Sequence, residues 1–246
     1  MRNKQIENIQ YRNTDQSALL YNYDINAPFP GSSIHYHELA ELLKVSKKQA
    51  IDFQTEFFKR SFDVLFSATA LLVGAPIYLL LMAITKFTSK GPIFYKQERL
   101  GKDGKAFNIY KFRSMVVESE ANGPQLASDD DPRITKWGKF MRKTRLDELP
   151  QFWNVLKGDM SVVGPRPERP HFVQMMQSKS PVYRRLLNIK PGITSVGQVC
   201  YGYAQNVDEM CERANLDLHY LKGVNFFSDI NIIFRTLKVM VQGKGK

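Results

Sequence analysis

The chain has 246 residues, 43% of them hydrophobic and 24% charged, proportions that exclude a disordered tail or a collagen-like fibre. Lys and Arg number 35 against 24 Asp and Glu, a formal charge of +11 that narrows partners to polyanions: nucleic acid, anionic lipid or phosphorylated substrates. Cys200 and Cys211 are too few for a disulfide framework or a four-thiolate metal site.

Residues 1–58 read as a polar extension, loosely ordered over 1–35 and helical over 36–58, where Leu39, Leu42, Leu43 and Val45 form an apolar stripe. His35 and His37 lack acidic neighbours and read as surface-loop residues rather than metal ligands. From Val64 to Thr85 about 22 residues carry no formal charge. As one helix they would be about 33 Å long, near the thickness of a hydrocarbon core. Lys59 and Arg60 precede the run and Lys86 and Lys90 follow it, so the positive-inside rule places both ends on the cytoplasmic side. Pro76, in Gly74-Ala75-Pro76, has no N–H and clashes with the preceding turn, so it bends the helix. The expectation is a re-entrant hairpin helix over 59–90; a straight span and a buried core helix are the rivals.

Downstream, Pro92–Arg99 and Lys105–Phe112 flank Asp103-Gly104 and predict an antiparallel hairpin. The acidic triplet Asp129-Asp130-Asp131 before Pro132 fits a helix cap better than a metal site, with a helix over Arg133–Lys143. There Ile134, Trp137 and Met141 share a stripe opposite Lys136, Lys139, Arg142 and Lys143, the pattern of a helix lying at a bilayer interface or on its own core. Pro181–Ile189 is a second segment of that kind. With the apolar run, these favour lipid and phosphate over nucleic acid.

The chemistry is concentrated between Thr144 and Glu168. Pro150 is tolerated only in a first helical turn, which predicts a helix starting near Leu146 or Asp147 and stopping at Gly158. Asp147 and Glu148 then sit at its positive end, where ionised carboxylates and approaching phosphates are favoured. Arg142, Lys143 and Arg145 precede them, and the prolines of Gly164-Pro165-Arg166-Pro167-Glu168 hold Arg166 extended for bidentate phosphate binding. A carboxylate pair, a fixed arginine and an apolar helix suit phosphoryl chemistry on a lipid, one carboxylate attacking phosphorus while the other holds Mg²⁺. No Walker loop, HExxH, Rossmann glycine pattern or G-x-S-x-G occurs in the sequence.

The sequence resembles the bacterial sugar transferases, the monotopic phosphoglycosyltransferases. The likeness runs from Lys59-Arg60-x-x-Asp63 through GPIFYKQERLGKDGKAFNIYKFRSM, DDPRITKWGKFMRKTRLDELPQFWNVLKGDMSVVGPRPE and KPGIT to about Val241. It implies transfer of a sugar 1-phosphate from a nucleotide sugar, a uridine diphosphate sugar in the family, to polyprenyl phosphate on the cytoplasmic face of the bacterial inner membrane. It also implies Asp147 as nucleophile, with Glu148, alongside Asp147, holding Mg²⁺; Arg166 and Arg145 on phosphate; Asp217 and Tyr220 shaping the nucleotide site; and a re-entrant helix kinked at Pro76. Two departures stand out: Ala75 where many relatives carry Ser, and Val196 where relatives carry Trp, which removes an expected interfacial anchor.

The expected architecture is α/β: mostly helical, with a small antiparallel sheet, one kinked re-entrant helix, interfacial helices, and a catalytic domain over 91–246. A non-catalytic membrane scaffold is the alternative function. No nucleic-acid partner is expected, and a homo-oligomer is admitted without being specified.

Overall fold

The computed structural model describes residues 53–121, 123–128 and 130–245. The expectations for residues 1–52, including His35 and His37, lie outside the described residues.

Helix α1 (Phe53–Val73) runs unbroken across the boundary drawn above between residues 58 and 59. Helix α2 (Ala75–Thr88) follows it at a bend of 62°. The bend falls where the sequence places it. Pro76, in the first turn of α2, has no N–H for the carbonyl of Leu72. Gly74 adds to it, because a Cβ there would collide with the carbonyl of Ala70. Among the described residues no single helix is long and apolar enough to cross a membrane; the bent pair together is.

Strands β1 (Phe94–Leu100) and β2 (Ala106–Phe112) form the predicted hairpin, in register from Phe94↔Phe112 to Leu100↔Ala106. Asp103 (φ 58°) and Gly104 (φ 69°) supply the left-handed turn. Helix α3 (Lys136–Lys143) starts later than expected. Its cap is Thr135, whose hydroxyl accepts from the Gly138 amide at 2.9 Å. Asp131 does not cap it; its carboxylate accepts from the Arg133 amide and guanidinium, which stabilises a turn ahead of the helix.

Leu146–Glu148 is a single 3₁₀ turn, and α4 (Gln151–Lys157) begins only after Pro150. The carboxylate pair therefore precedes the helix rather than occupying its first turn. Gly158 closes α4 as expected. Strand β3 (Ser161–Val163) leads to α5 (Pro170–Lys179), and β4 (Gly192–Thr194) pairs with β3 in parallel, a second small sheet that the hairpin pattern does not predict. Helices α6 (Val196–Cys200), α7 (Val207–Tyr220) and α8 (Phe226–Val241) complete the order.

Both segments read as interfacial put their apolar stripes on the core. Trp137 donates to the Thr85 hydroxyl at 3.1 Å, and Met141 is buried with Leu81 and Phe112. Pro181–Asn188 is a 3₁₀ helix whose Val182, Tyr183 and Leu186 pack against Phe172, Met176 and Met210. Val196 is buried too, so this position is a core site and no surface anchor is lost there.

The Lys59-Arg60-x-x-Asp63 motif fastens α1 to this body. Lys59 pairs with Asp229 at 2.5 Å. Arg60 donates to the carbonyls of Val155 (2.6 Å) and Leu156 (3.0 Å), capping the negative end of α4. Asp63 accepts from the Ser161 hydroxyl (3.0 Å) and the Val162 amide (2.9 Å).

Candidate active site

A cavity of about 450 Å³ opens between the hairpin, the 3₁₀ turn at Asp147 and the loop carrying Arg166. Nine Lys and Arg side chains and five carboxylates line it, so its field favours anions. One face of the hairpin contributes Tyr95, Gln97, Arg99 and Lys111, as the two-residue pleat dictates.

Glu148 is the electrostatic centre. Its Oε2 accepts from Arg145 Nε (3.0 Å) and Nη2 (2.7 Å), and its Oε1 from Lys111 Nζ (3.0 Å) and Arg166 Nη1 (3.2 Å). Burial acts to raise this carboxyl, but Arg145, Lys111 and Arg166 overcome it and hold it well below the usual carboxylate range. These cations, rather than a helix dipole, keep it ionised. Arg145 reaches it from a left-handed backbone, φ 56° and ψ 19°, rare for a residue with a Cβ.

Asp147, equally buried, differs. Its carboxylate accepts no hydrogen bond and forms no ion pair with any described residue. Burial pushes its pKa up; Lys111 pulls it down, and the charge on Glu148 adds to the rise. The pair therefore consists of one engaged carboxylate and one unengaged carboxylate.

Arg166 is fixed through its backbone as well as its guanidinium. The Pro165 carbonyl accepts from Gly192 N at 2.9 Å, the Arg166 amide faces Asp217 Oδ2 at 3.4 Å, and the Pro167 carbonyl accepts from Arg99 at 2.9 Å. With its amide oxygen turned toward the guanidiniums, Gln198 accepts from both Arg145 and Arg166 and donates to the Ile193 carbonyl at 3.3 Å.

Against this geometry, the family model described as bacterial sugar transferase matches residues 54–243. The chain belongs to that family.

Its relatives include the UDP-N-acetylgalactosamine-undecaprenyl-phosphate N-acetylgalactosaminephosphotransferase of Aeromonas hydrophila, 42% identical over 77% of this chain and 45% of the relative. The UDP-glucose:undecaprenyl-phosphate glucose-1-phosphate transferase of Klebsiella pneumoniae is 42% identical over 73% of this chain and 39% of its own length. A putative undecaprenyl-phosphate N-acetylgalactosaminyl 1-phosphate transferase of Bacillus subtilis (strain 168) is 40% identical over 67% of this chain and 87% of its own. The chain thus spans less than half of the first two relatives and most of the third.

Of the residues singled out for this sugar transferase from sequence, Asp147, Glu148, Arg145 and Arg166 meet on one wall of the cavity. Asp217 lies behind that wall: buried, it accepts from the Gly197 amide at 2.8 Å and from the Ser195 hydroxyl, and burial pushes its pKa up to about 6. Tyr220 is placed elsewhere, in the core, donating to Asp229 at 2.6 Å. Pro76 is at the helix bend. Lys111, Arg99 and Gln198 are site residues that the motif reading passes over. The polar alternation Tyr95, Gln97, Arg99 on one strand face was the available signal for the hairpin members; for Gln198 the sequence offers none.

Among the described residues no group of three or more His, Cys, Asp or Glu gathers to hold a metal. The pair nevertheless fits Mg²⁺ arriving with phosphate. That ion takes one or two carboxylates plus substrate oxygens, Asp147 has unengaged oxygens, and Glu148 can offer one by yielding Arg166, its longest contact.

Proposed function

We propose that this protein transfers a sugar 1-phosphate from a uridine diphosphate sugar to polyprenyl phosphate, as the first step of a polysaccharide pathway on the cytoplasmic face of the bacterial inner membrane. The observation that carries it is the asymmetry of the pair: an unengaged Asp147 beside a Glu148 bound by three cations, on the wall of a cationic cavity.

Asp147 attacks the phosphorus that bears the sugar. The bond from that phosphorus to the bridging oxygen breaks, and the nucleoside monophosphate leaves with the electron pair. A phosphate oxygen of the lipid then attacks the same phosphorus, the Asp147–phosphorus bond breaks, and the carboxylate returns to its starting state. Lys111, Arg145 and Arg166 face the charge that builds on the transferred group, held in place before it arrives. Bound Mg²⁺, with Asp147 and Glu148 as its protein ligands, would neutralise charge on the diphosphate.

Several features support a re-entrant membrane seat. The bent pair exposes Leu65, Leu72, Val73, Ile77, Leu79 and Phe87. Helix α8 exposes Phe227, Phe234, Leu237 and Val241 at helical spacing, a better interfacial stripe than either segment expected from sequence. The relatives' names differ in the sugar they carry, so the donor sugar is found by experiment.

The test is nucleoside monophosphate release from a panel of uridine diphosphate sugars with Mg²⁺, with and without polyprenyl phosphate. Lipid-dependent UMP from one donor is expected. UDP as product would mean ordinary glycosyl transfer and would overturn the role given to Asp147.

A further inference from the structure

Arg113 is the one cavity-lining guanidinium whose bonding is left incomplete in a way the chemistry above does not use. It follows Lys111 by two residues at the end of β2, so the pleat places the two side chains about 7 Å apart on one side of the hairpin. Its Nη2 donates to the carbonyl and the hydroxyl of Ser89, both at 2.7 Å, just beyond the end of α2. Its Nε and Nη1 have no partner at all, although the residue is only 5% exposed. Capping α2 requires one donor, and a buried charged donor left unmatched is unfavourable unless an anion meets it. The chain keeps this arrangement deliberately open to nothing larger than hydrogen: Gly91, at φ 122°, is the residue against which Nη1 lies, and any Cβ there would collide with it. Beside it Val116 and Val117 are 48% and 54% exposed, and Phe87, in the last turn of α2, is 88% exposed.

The cavity thus has two cationic ends. Lys111, Arg145 and Arg166 surround Glu148 at one; Arg113, at the other, adjoins the end of the bent helix pair and exposed apolar side chains. We propose that Arg113 binds the phosphate monoester of the lipid acceptor, with Val116, Val117 and Phe87 along the path of its first isoprene units. This rests on the transferase reading above and divides its substrates: the nucleotide sugar at the Glu148 end, the acceptor phosphate at the Arg113 end. The phosphate forms no covalent bond to Arg113; the guanidinium supplies charge-assisted donors that orient an oxygen toward the adduct on Asp147.

The experiment separates the two half-reactions in the full-length protein reconstituted in detergent or nanodiscs. Formation of the phosphosugar adduct from a uridine diphosphate sugar is followed without lipid, and turnover is then measured against polyprenyl phosphate concentration, for wild type, Arg113→Gln and Arg113→Lys. The adduct should form at wild-type rate in both variants, which also reports that they are folded. KM for polyprenyl phosphate should rise about 10- to 100-fold in Arg113→Gln and less in Arg113→Lys. Inorganic phosphate, added as competitor, should slow the acceptor step in wild type and lose that effect in Arg113→Gln. An unmoved acceptor KM, equal competition by phosphate in both proteins, or a parallel loss of adduct formation would each overturn the assignment of Arg113. A wild-type protein that forms no adduct with any donor would instead refute the transferase reading itself.

Discussion

Arg145 combines a backbone penalty with a side-chain gain, and two substitutions separate them. Its left-handed conformation at φ 56° disfavours a residue with a Cβ by about 1–2 kcal/mol, while its fork supplies two of the four hydrogen bonds on buried Glu148. Arg145→Ala and Arg145→Gly both remove the fork. Breaking a buried pair costs about 3–5 kcal/mol, and with Lys111 and Arg166 still in contact the loss should lie near the lower figure. For a chain of this size that lowers Tm by roughly 6–12 °C. The alanine variant keeps the backbone strain and the glycine variant relieves it, against about 0.4–1 kcal/mol lost to glycine's freedom in the unfolded chain. Arg145→Gly should therefore exceed Arg145→Ala by about 0.5–1 kcal/mol, the reverse of the usual order. Denaturant unfolding in detergent, followed by the fluorescence of Trp137 and Trp153, measures both. An alanine variant as stable as the glycine variant, or stability unchanged in either, would refute this account of the turn.

Asp147→Asn should abolish adduct formation with an unchanged melting curve, and wild-type turnover in that variant would remove Asp147 as nucleophile. Because burial raises the pKa of Asp147 and catalysis needs its ionised form, the acid limb of kcat/KM should lie above the range of an ordinary carboxylate; a limb at ordinary acidity would contradict the burial argument. Asp217, pushed up to about 6, contributes stability that is full below 3.8 and lost as pH rises through about 6. The stability of wild type relative to Asp217→Asn should fall by up to about 3 kcal/mol between pH 4 and 7, and a constant difference in urea midpoints would show that Asp217 is not desolvated. Arg60→Ala should cost about 2–3 kcal/mol through its two carbonyl contacts at the end of α4, with Arg60→Lys recovering part; a change under about 0.5 kcal/mol would mean that α1 is not held there.

What could be read in advance was what local chemistry decides. Asp103-Gly104 can adopt left-handed angles and so dictate the hairpin; Gly158 ends α4 for the same reason; Pro76 bends a helix wherever it sits. The Asp147, Glu148 and Arg166 cluster was legible because its members lie within about two dozen residues of one another in recognisable motifs. What failed depended on the rest of the fold. A proline after Asp131 looks like a helix start until Arg133 takes the carboxylate. The stripes of Trp137 and of Tyr183 are amphipathic by either reading, and only the position of α2 and α5 decides that they face inward. Lys111 and Gln198 reach the site from 37 and 50 residues away from Glu148 respectively, across contacts that no periodicity encodes.

The ring of cations on Glu148 has a consequence for selectivity. The protein carries its own counter-anion, so Arg145, Lys111 and Arg166 do not present bare charge to solvent. A monovalent ion such as chloride offers them no more than Glu148 already does and also lacks its forked geometry. Only a ligand with several negative oxygens can outbid the tethered carboxylate. The internal anion thus works as a threshold, under which the salts of the cell pass unnoticed and above which a diphosphate is admitted.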